Sequence, residues 1–171
     1  MLHIIINVNI SIISAFYFNI LKMKKILSPQ QKEALREQIV AFSKKYIGTP
    51  YEYSAPLRDE PKTFDCSGFV QFVYGNFGYE IPRSTILQAE FIKKTITDPR
   101  KIKPGDLIYL HGKRGYYTKK YPQGIGHVAM YIGKNKVIHA SGSGIKRGVK
   151  IEELESAVKN RTPLVVIKRI I

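Results

Sequence analysis

The stretch Asp65-Cys66-Ser67-Gly68 opens an amphipathic segment and holds the single cysteine of the 171-residue chain. Downstream of it, apolar side chains recur at helical spacing, at Phe69, Val70, Val73 and Phe77. Asp65 is a preferred N-cap residue, so Cys66 is predicted in the first turn of a helix, where unpaired N–H groups and the helix dipole favour an anion. We therefore expect this thiol to lose its proton more readily than a thiol in mid-helix or in a core.

Two histidines bear on how this cysteine is interpreted. A lone cysteine is more often a small, buried apolar residue than a nucleophile. The polar neighbours of the cysteine, together with His127 and His139 downstream, instead fit the pattern of a cysteine nucleophile with a distant histidine partner. An imidazole titrates near neutral pH and can accept a thiol proton, which makes it the usual partner of such a nucleophile.

Five motifs follow one another along the chain: DCSGFV at 65–70, IPRST at 81–85, KPGDL at 103–107, HVAMYIG at 127–133 and VIHA at 137–140. In order and spacing they closely resemble the NlpC/P60 family of cell-wall cysteine peptidases, from about Lys44 to the C-terminus. The resemblance implies a reduced papain-like fold and hydrolysis of the stem peptides of bacterial peptidoglycan, typically between D-γ-glutamate and meso-diaminopimelate or lysine. Composition and periodicity carry no information about that substrate.

The same resemblance implies roles for single residues. Cys66 would be the nucleophile and His127 the general base. Tyr51, in a Gly-Thr-Pro-Tyr segment upstream of the cysteine, would bind the developing oxyanion. Asp65 and Ser67 would hold the free amine of the stem peptide. From the residues alone, a tyrosine before such a helix is more often a packed core ring with one satisfied hydroxyl.

The sequence departs from the family pattern upstream of the cysteine. Ser54-Ala55 stand where the family usually has two glycines, and charged residues are added between 58 and 62. The shape of the cleft rim is therefore left open. Arg83 is a candidate to bind a substrate carboxylate, although a solvated or helix-supporting arginine is the more common case.

The position of His139, the candidate third member that would orient His127, depends on the hairpin between them. A two-residue turn at 134–135 would place His139 on the opposite face of the sheet from His127. A three-residue loop at 133–135 places it opposite Ala129 and diagonal to His127. Only the second register lets the two rings meet, so we predict that register.

The remaining pattern predicts an α+β fold with helices packed on one antiparallel sheet. Ser28, Pro29 and Gln31 have the form of a capping box with proline at the first helical position. Further predicted elements are a helix capped by Thr85 and Gln88, a buried strand at Leu107–Leu110, a short helix at 151–158 and a last buried strand at 164–167.

Composition restricts the partners of the chain. The formal net charge of +15 would favour acidic polymers or an anionic membrane face. Lys and Arg are spread along the chain, so a solvated basic surface is the first interpretation and a cell-wall partner the second. Because no nucleic-acid module is recognisable, we expect no nucleic-acid partner. The segment 111–126 is basic, aromatic and punctuated by glycine, and it is longer than is usual in the family. It is predicted to be a lid or a surface for an anionic cell-wall polymer, with a tolerated surface insertion as the alternative.

The N-terminal residues 1–22 are apolar, and positive charge follows this stretch instead of preceding it. A secretory signal has the opposite order, so three interpretations stay open: an upstream extension, a membrane anchor or a divergent signal peptide. We treat 23–171 as the catalytic domain. The family resemblance implies the cell envelope or the extracellular space, whereas translation from Met23 would indicate the cytoplasm.

Two other functions compete with a peptidase. One is a catalytically idle module that binds cell-wall polymer, and the other is a papain-like acyltransferase that acts on lipid. One cysteine with two distant histidines lacks an ordinary metal-ligand pattern, so we expect neither a metal nor another cofactor. The expected substrate is a stem peptide or muropeptide, and the expected protein is a monomer.

Overall fold

The described part of the chain folds into helices and one sheet. A computed structural model describes residues 27–56, 61–112, 116–143 and 147–171. The helices are α1 (Pro29–Lys44), α2 (Cys66–Gly75), α3 (Thr85–Phe91) and α4 (Leu154–Lys159), with a 3₁₀ turn at Pro99–Lys101. The strands are β1 (Lys94–Thr95), β2 (Leu107–Leu110), β3 (His127–Gly133), β4 (Lys136–Ser141), β5 (Gly148–Glu153) and β6 (Leu164–Arg169).

Two units are distinguished along the chain, Met1–Lys32 and Glu33–Ile171. In the first, the predicted capping box is confirmed: the Ser28 N–H donates to Gln31 Oε1 at 2.9 Å, and the Gln31 N–H donates to Ser28 Oγ at 3.2 Å. The predicted N-terminal segment 1–22 lies outside the described residues. Among the helices that the structure describes, none combines the length and apolar character needed to cross a bilayer.

The six strands form one sheet in the order β1-β6-β2-β3-β4-β5, and every neighbouring pair is antiparallel. The predicted α+β class is therefore confirmed. β2 lies inside the sheet, and all four of its residues are buried, as its apolar run predicts. The predicted last strand is β6, which extends two residues further, to Arg169.

Helix α2 packs against β3 and β4. Its residues Phe69, Val70 and Val73 are fully buried and share a core cluster with Val128 of β3. Full burial of one such side chain contributes roughly 1.5–3 kcal/mol. The apolar stripe of the sequence thus fixes the helix against the two strands that carry both predicted histidines.

The β3–β4 hairpin has the predicted register. Met130 pairs with Ile138. Continued by one residue, this pairing sets Ala129 opposite His139, which leaves His139 diagonal to His127. The side-chain alternation of two antiparallel strands therefore puts both imidazoles on one face, as the sequence analysis required.

The turn that produces this register differs from the predicted three-residue loop. Gly133 pairs with Lys136, so only Lys134 and Asn135 form the turn, both with positive φ (51° and 56°). A bulge between Tyr131 and Gly133 then shifts the pairing by one residue. The extra residue is thus accommodated inside the strand, which bends there. His139 is therefore still diagonal to His127, as predicted.

The predicted start of α3 is wrong by one residue. Its N-cap is Ser84, not Thr85, and no side chain caps it. Gln88 points inward instead, where its Nε2 donates to the backbone carbonyl of Ser67 at 3.0 Å. A buried amide needs hydrogen-bond partners, and it finds them in the first turn of α2 and the connector that follows.

The helix predicted at 151–158 is also misplaced. Residues 151–153 continue β5 and pair with β4, so helix α4 begins three residues later than predicted. The mixture of apolar and acidic residues in this stretch suits a strand edge as well as the first turn of a helix. The difference matters because it changes the side to which Glu152 points.

Candidate active site

The predicted position of the cysteine is confirmed. Cys66 is the first residue of α2, and Asp65 is the N-cap: its backbone is extended, and its Oδ1 accepts the Gly68 N–H at 2.7 Å. The Cys66 side chain is only 8% exposed. Cys66, His127 and Tyr51 all line one cleft of about 660 Å³. The structure therefore brings these three predicted residues together.

The electrostatic environment of the thiol contradicts the sequence expectation. Burial, and after it the Asp65 carboxylate, raise the pKa of Cys66 to about 11. Backbone hydrogen bonds of Val128, Ser67 and Cys66 itself act in the opposite direction without outweighing burial. The helix N-terminus therefore offsets only part of the cost of charging a buried sulfur, and the resting side chain is a protonated thiol.

The two predicted histidines meet in the structure. His127 Nε2 and His139 Nδ1 are 2.8 Å apart, a hydrogen bond in which one ring nitrogen donates and the other accepts. The ring planes are inclined at 75°. His139 is fully buried, whereas His127 lines the cleft. Because its Nε2 is engaged, Nδ1 is the nitrogen of His127 that is left to accept a thiol proton.

A carboxylate that the sequence analysis missed lies behind the histidine pair. Glu152 Oε2 is 3.2 Å from His139 Nε2. The other oxygen, Oε1, is 2.8 Å from Lys150 Nζ, and Oε2 is 3.7 Å from Arg161 Nη1. The sequence analysis assigned Glu152 to a helix at 151–158 and therefore did not place it near His139. As a strand beside β4, the same stretch brings Lys150 and Glu152 to the face that carries His139.

Burial determines the charge state of the two imidazoles. Burial, followed by His139 and the cations Arg161 and Lys150, holds the pKa of His127 well below its usual value. Burial also lowers the pKa of His139, and the contact with Glu152 opposes this only in part. The His139 contact is the main reason that Glu152 has a lowered pKa, about 2. At neutral pH, the rings of His127 and His139 are therefore both uncharged, and the ionised carboxylate of Glu152 lies next to His139.

Tyr51 is held at the cleft wall by tight packing. A Cβ atom placed on Gly142 would lie 2.7 Å from Tyr51 Cε1, so only a glycine lets this ring approach the chain after β4 so closely. The Arg147 guanidinium lies over the same ring, 5.9 Å from its centroid. The ring therefore lies between the backbone at Gly142 and the guanidinium of Arg147, and this packing fixes its orientation.

Asp65, Ser67 and Arg83 form one cluster at the N-terminal end of α2. Arg83 Nη1 donates to Asp65 Oδ1 and to Ser67 Oγ, each at 2.9 Å. Its Nη2 donates to Asp65 Oδ2 and, at 2.8 Å, to the carbonyl of Ala55. Arg83 thus supports the helix cap, the alternative that the sequence analysis left open, although its side chain is 35% exposed and lines the cleft.

The basic segment 111–126 contributes to the cleft rim. Tyr116 lines the cleft, and its hydroxyl is 3.3 Å from the hydroxyl of Tyr53 on the opposite side. Tyr121 is buried, and its hydroxyl donates to the Ala89 carbonyl at 3.2 Å. The described part of this segment is therefore anchored in the core through Tyr121.

The cleft has no evident metal-binding arrangement in the described part of the chain. No group of three or more His, Cys, Asp or Glu side chains lies there in a geometry that could hold an ion. The polar groups of the cleft are instead suited to acyl transfer, because a thiol and an imidazole line it together and a second imidazole holds the first in place.

Comparison with known proteins agrees with this arrangement. The NlpC/P60 family profile matches residues 48–166. The chain is 32% identical over 108 residues to the probable endopeptidase p60 of Listeria innocua, covering 63% of this chain and 20% of that protein. It is 37% identical over 106 residues to the gamma-DL-glutamyl hydrolase of Bacillus subtilis, covering 61% and 23%. The chain thus matches about a fifth of the length of these curated relatives.

The structure is similar to that of a crystallised protein as well. The peptidoglycan hydrolase RipB of Mycobacterium tuberculosis superimposes with a TM-score of 0.61 at 25% identity, over 84% of this chain and 69% of that chain. The fold is thus the reduced papain-like one that the sequence motifs implied. Because the profile spans most of the chain and the architecture agrees, this protein belongs to the NlpC/P60 family.

Proposed function

We propose that the protein is a cysteine peptidase that hydrolyses peptidoglycan stem peptides between D-γ-glutamate and meso-diaminopimelate or lysine, through Cys66, His127 and His139. The observation that carries the proposal is a thiol and an imidazole lining one cleft, with a second imidazole 2.8 Å behind the first. The names of the relatives support the reaction class, since they include an endopeptidase, a gamma-DL-glutamyl hydrolase and a peptidoglycan hydrolase.

Acylation starts from a neutral thiol and a neutral imidazole. His127 Nδ1 accepts the proton of Cys66 while the sulfur attacks the scissile carbonyl carbon, and the carbonyl electron pair moves to oxygen. The imidazolium then protonates the departing nitrogen, the C–N bond breaks, and a thioester remains. Water, deprotonated by His127, attacks this thioester; the γ-glutamyl carboxylate is released and the proton returns to sulfur.

Two donors stabilise the oxyanion of each tetrahedral intermediate. One is the backbone N–H of Cys66, at the open N-terminal end of α2, and the other is the hydroxyl of Tyr51. Removal of one donor from such a site typically costs about 2.7–4 kcal/mol of transition-state stabilisation. The close packing of Tyr51 on Gly142 supports this role, because a donor that does not reorient costs no reorganisation during the reaction.

His139 and Glu152 act on the substrate only through His127. His139 fixes the orientation of the base, and the Glu152 carboxylate stabilises the positive charge that the histidine pair acquires during proton transfer. Glu152 is therefore a positioning residue in this mechanism.

Asp65 and Ser67 hold the free amine of the stem peptide at the other side of the thiol. Both line the cleft, and Arg83 keeps them in place. The exposed part of Arg83 lies within the same cleft and can meet a substrate carboxylate. Exposed Lys119 and Lys120 on the rim segment 111–126 supply a surface for an anionic wall polymer.

Incubation with L-alanyl-γ-D-glutamyl-meso-diaminopimelate and its lysine counterpart, followed by mass spectrometry, tests the proposal. We expect a free γ-carboxyl on glutamate and a free diamino acid, and no products with Cys66→Ala. Binding of intact wall without cleavage would favour the idle binding module. Stable transfer of an acyl chain from a lipid to a second substrate, without peptide cleavage, would favour the acyltransferase.

A further inference from the structure

The charges of the cleft are unevenly distributed. At the α2 end, Asp65 and Arg83 form an ion pair and neutralise each other. At the end of β4, Arg161 donates to Ser141, and Arg147 follows further along the chain; both arginines line the cleft. The nearby carboxylate of Glu152 is already shared by three cationic or imidazole partners. This end, which we call the basic end, therefore has an excess of positive charge.

Arg147 is the more accessible cation of the basic end. Its residue is exposed, and its described contact is with the ring of Tyr51. Among the residues that the structure describes, no carboxylate lies within ion-pair distance of its guanidinium. A guanidinium presents several N–H donors in a planar fork that matches a carboxylate, so this group is suited to bind one from a ligand.

Arg161 is fixed and organises two hydroxyl groups. Its side chain is only 10% exposed, and its Nη2 donates to Ser141 Oγ and Ser143 Oγ, each at 2.7 Å. The two hydroxyl oxygens are 3.0 Å apart, so one hydroxyl donates to the other. Because both oxygens accept from Arg161, the second hydroxyl hydrogen remains for an anion in the cleft. Ser143 and Asn160 line the cleft beside Arg147.

The basic end lies on the histidine side of the cleft. Arg161 Nη1 lies 3.7 Å from Glu152 Oε2, the carboxylate that contacts His139, whereas Arg83 is paired with Asp65 at the start of the cysteine helix. In the proposed mechanism, His127 protonates the departing nitrogen, so the residue that leaves occupies the histidine side. Arg147 lies over the ring of Tyr51, the proposed oxyanion donor, and lines the same cleft as Cys66 and His127.

From this placement we propose that the basic end binds a carboxylate on the side chain of the departing residue, with Arg147 as its principal ligand. The inference rests on the proposed function and refines its substrate. Lysine and meso-diaminopimelate differ by one carboxylate at the end of the same side chain. The protein therefore prefers meso-diaminopimelate over lysine as the departing residue.

The test compares kcat/KM for two matched peptides, L-alanyl-γ-D-glutamyl-meso-diaminopimelate and L-alanyl-γ-D-glutamyl-L-lysine, both amidated at the α-carboxyl of the last residue. For the wild-type protein we expect a preference for diaminopimelate of about 10-fold or more, the effect of one charge-assisted pair. In Arg147→Gln the ratio of the two kcat/KM values falls towards one: both peptides can slow because the guanidinium also packs on Tyr51, but the diaminopimelate peptide slows more. Arg147→Lys retains part of the preference.

The matched control is Arg100→Gln, which removes one positive charge from an exposed site paired with Asp98, outside the cleft-lining residues. It leaves the preference unchanged. Equal wild-type rates for the two peptides, or a preference that survives Arg147→Gln, would overturn the inference alone. Hydrolysis of neither peptide would overturn the proposed function, and this inference with it.

A third peptide separates the sources of such a carboxylate. In this peptide a glutamate is the departing residue, joined to the γ-carboxyl of D-glutamate. Its side-chain carboxylate lies nearer to the scissile bond than that of diaminopimelate. Cleavage as fast as that of the diaminopimelate peptide, again lost in Arg147→Gln, supports a carboxylate subsite that accepts glutamate chains as well. Cleavage no faster than that of the lysine peptide supports a subsite fitted to the longer diaminopimelate side chain.

Discussion

His139 Nε2 lies 3.2 Å from Glu152 Oε2, on the side of the ring opposite to His127. A carboxylate is thereby coupled to the proposed base through one intervening imidazole. When His127 takes the thiol proton, positive charge develops on this pair in a buried site, where an anion stabilises it more than in water. The contact depends on β5 pairing with β4, so strand pairing and the proposed chemistry are directly linked.

Glu152→Gln tests this coupling. We expect kcat to fall about 10-fold with little change in KM, because the carboxylate acts through His139 and not on substrate. The acid limb of the pH–kcat profile should move to lower pH, since loss of the negative charge lowers the pKa of His139 further. The control is Glu153→Gln, which changes an exposed neighbour paired with Lys136. A wild-type profile in Glu152→Gln would contradict the assignment.

The raised pKa of Cys66 predicts slow alkylation. At pH 7, iodoacetamide should label this thiol more slowly than free cysteine, and the rate should rise with pH towards the pKa of about 11. Asp65→Asn should accelerate labelling, because it removes a negative charge while asparagine still caps the helix. Intact-protein mass spectrometry over time gives both rates. Equal or slower labelling of Asp65→Asn would show that the carboxylate does not raise this pKa.

The lowered pKa values of His127 and His139 predict loss of stability in acid. Below about pH 6.5 the unfolded chain binds protons that the folded rings do not, so the free energy of unfolding falls as pH falls. Between pH 7 and pH 5, a ring that stays neutral in the folded protein contributes a loss of up to about 2 kcal/mol. Urea unfolding at both pH values measures it. His127→Gln should reduce this pH dependence, because the unfolded chain then has one histidine fewer to protonate. A pH-independent wild type would contradict buried neutral rings.

Gly142→Ala tests the packing of Tyr51. The added methyl group would lie 2.7 Å from the ring, so the ring must move and the proposed oxyanion donor moves with it. We expect kcat/KM to fall by about 10-fold or more, with about 100- to 1,000-fold as the limit if the donor is lost altogether. In the matched control Gly75→Ala, a Cβ meets nothing within 4 Å in α2, and the protein should gain about 0.5–1 kcal/mol of stability. Undiminished activity of Gly142→Ala would show that the ring position does not matter.

Local chemistry explains which parts of the site the sequence could predict. Asp65 before an apolar stripe marks a helix start whatever surrounds it, so Cys66 was placed correctly. Strand alternation required His127 and His139 to share a face, and the observed register obeys it although the turn does not. These features depend on a few neighbouring residues and on the period of a strand.

Features that depend on packing between distant segments could not be predicted from the sequence. Residues 151–153 have a pattern that suits both a strand and a helix, and only pairing with β4 decides between them, so Glu152 was missed. The pKa of Cys66 depends on how deeply α2 and the sheet bury it, which no local pattern reports. The commitment of Arg83 to Asp65 and Ser67 likewise arises from packing between distant segments.

The most direct test of the account is the rate of γ-D-glutamyl–diamino acid hydrolysis by the wild-type protein, Cys66→Ala and His127→Gln, each first shown by circular dichroism to be folded. The account predicts wild-type cleavage at the γ-glutamyl bond, no detectable cleavage by Cys66→Ala and a loss of at least about 100-fold in kcat for His127→Gln. Cleavage by Cys66→Ala at the wild-type rate, or none by the wild-type protein, would contradict it.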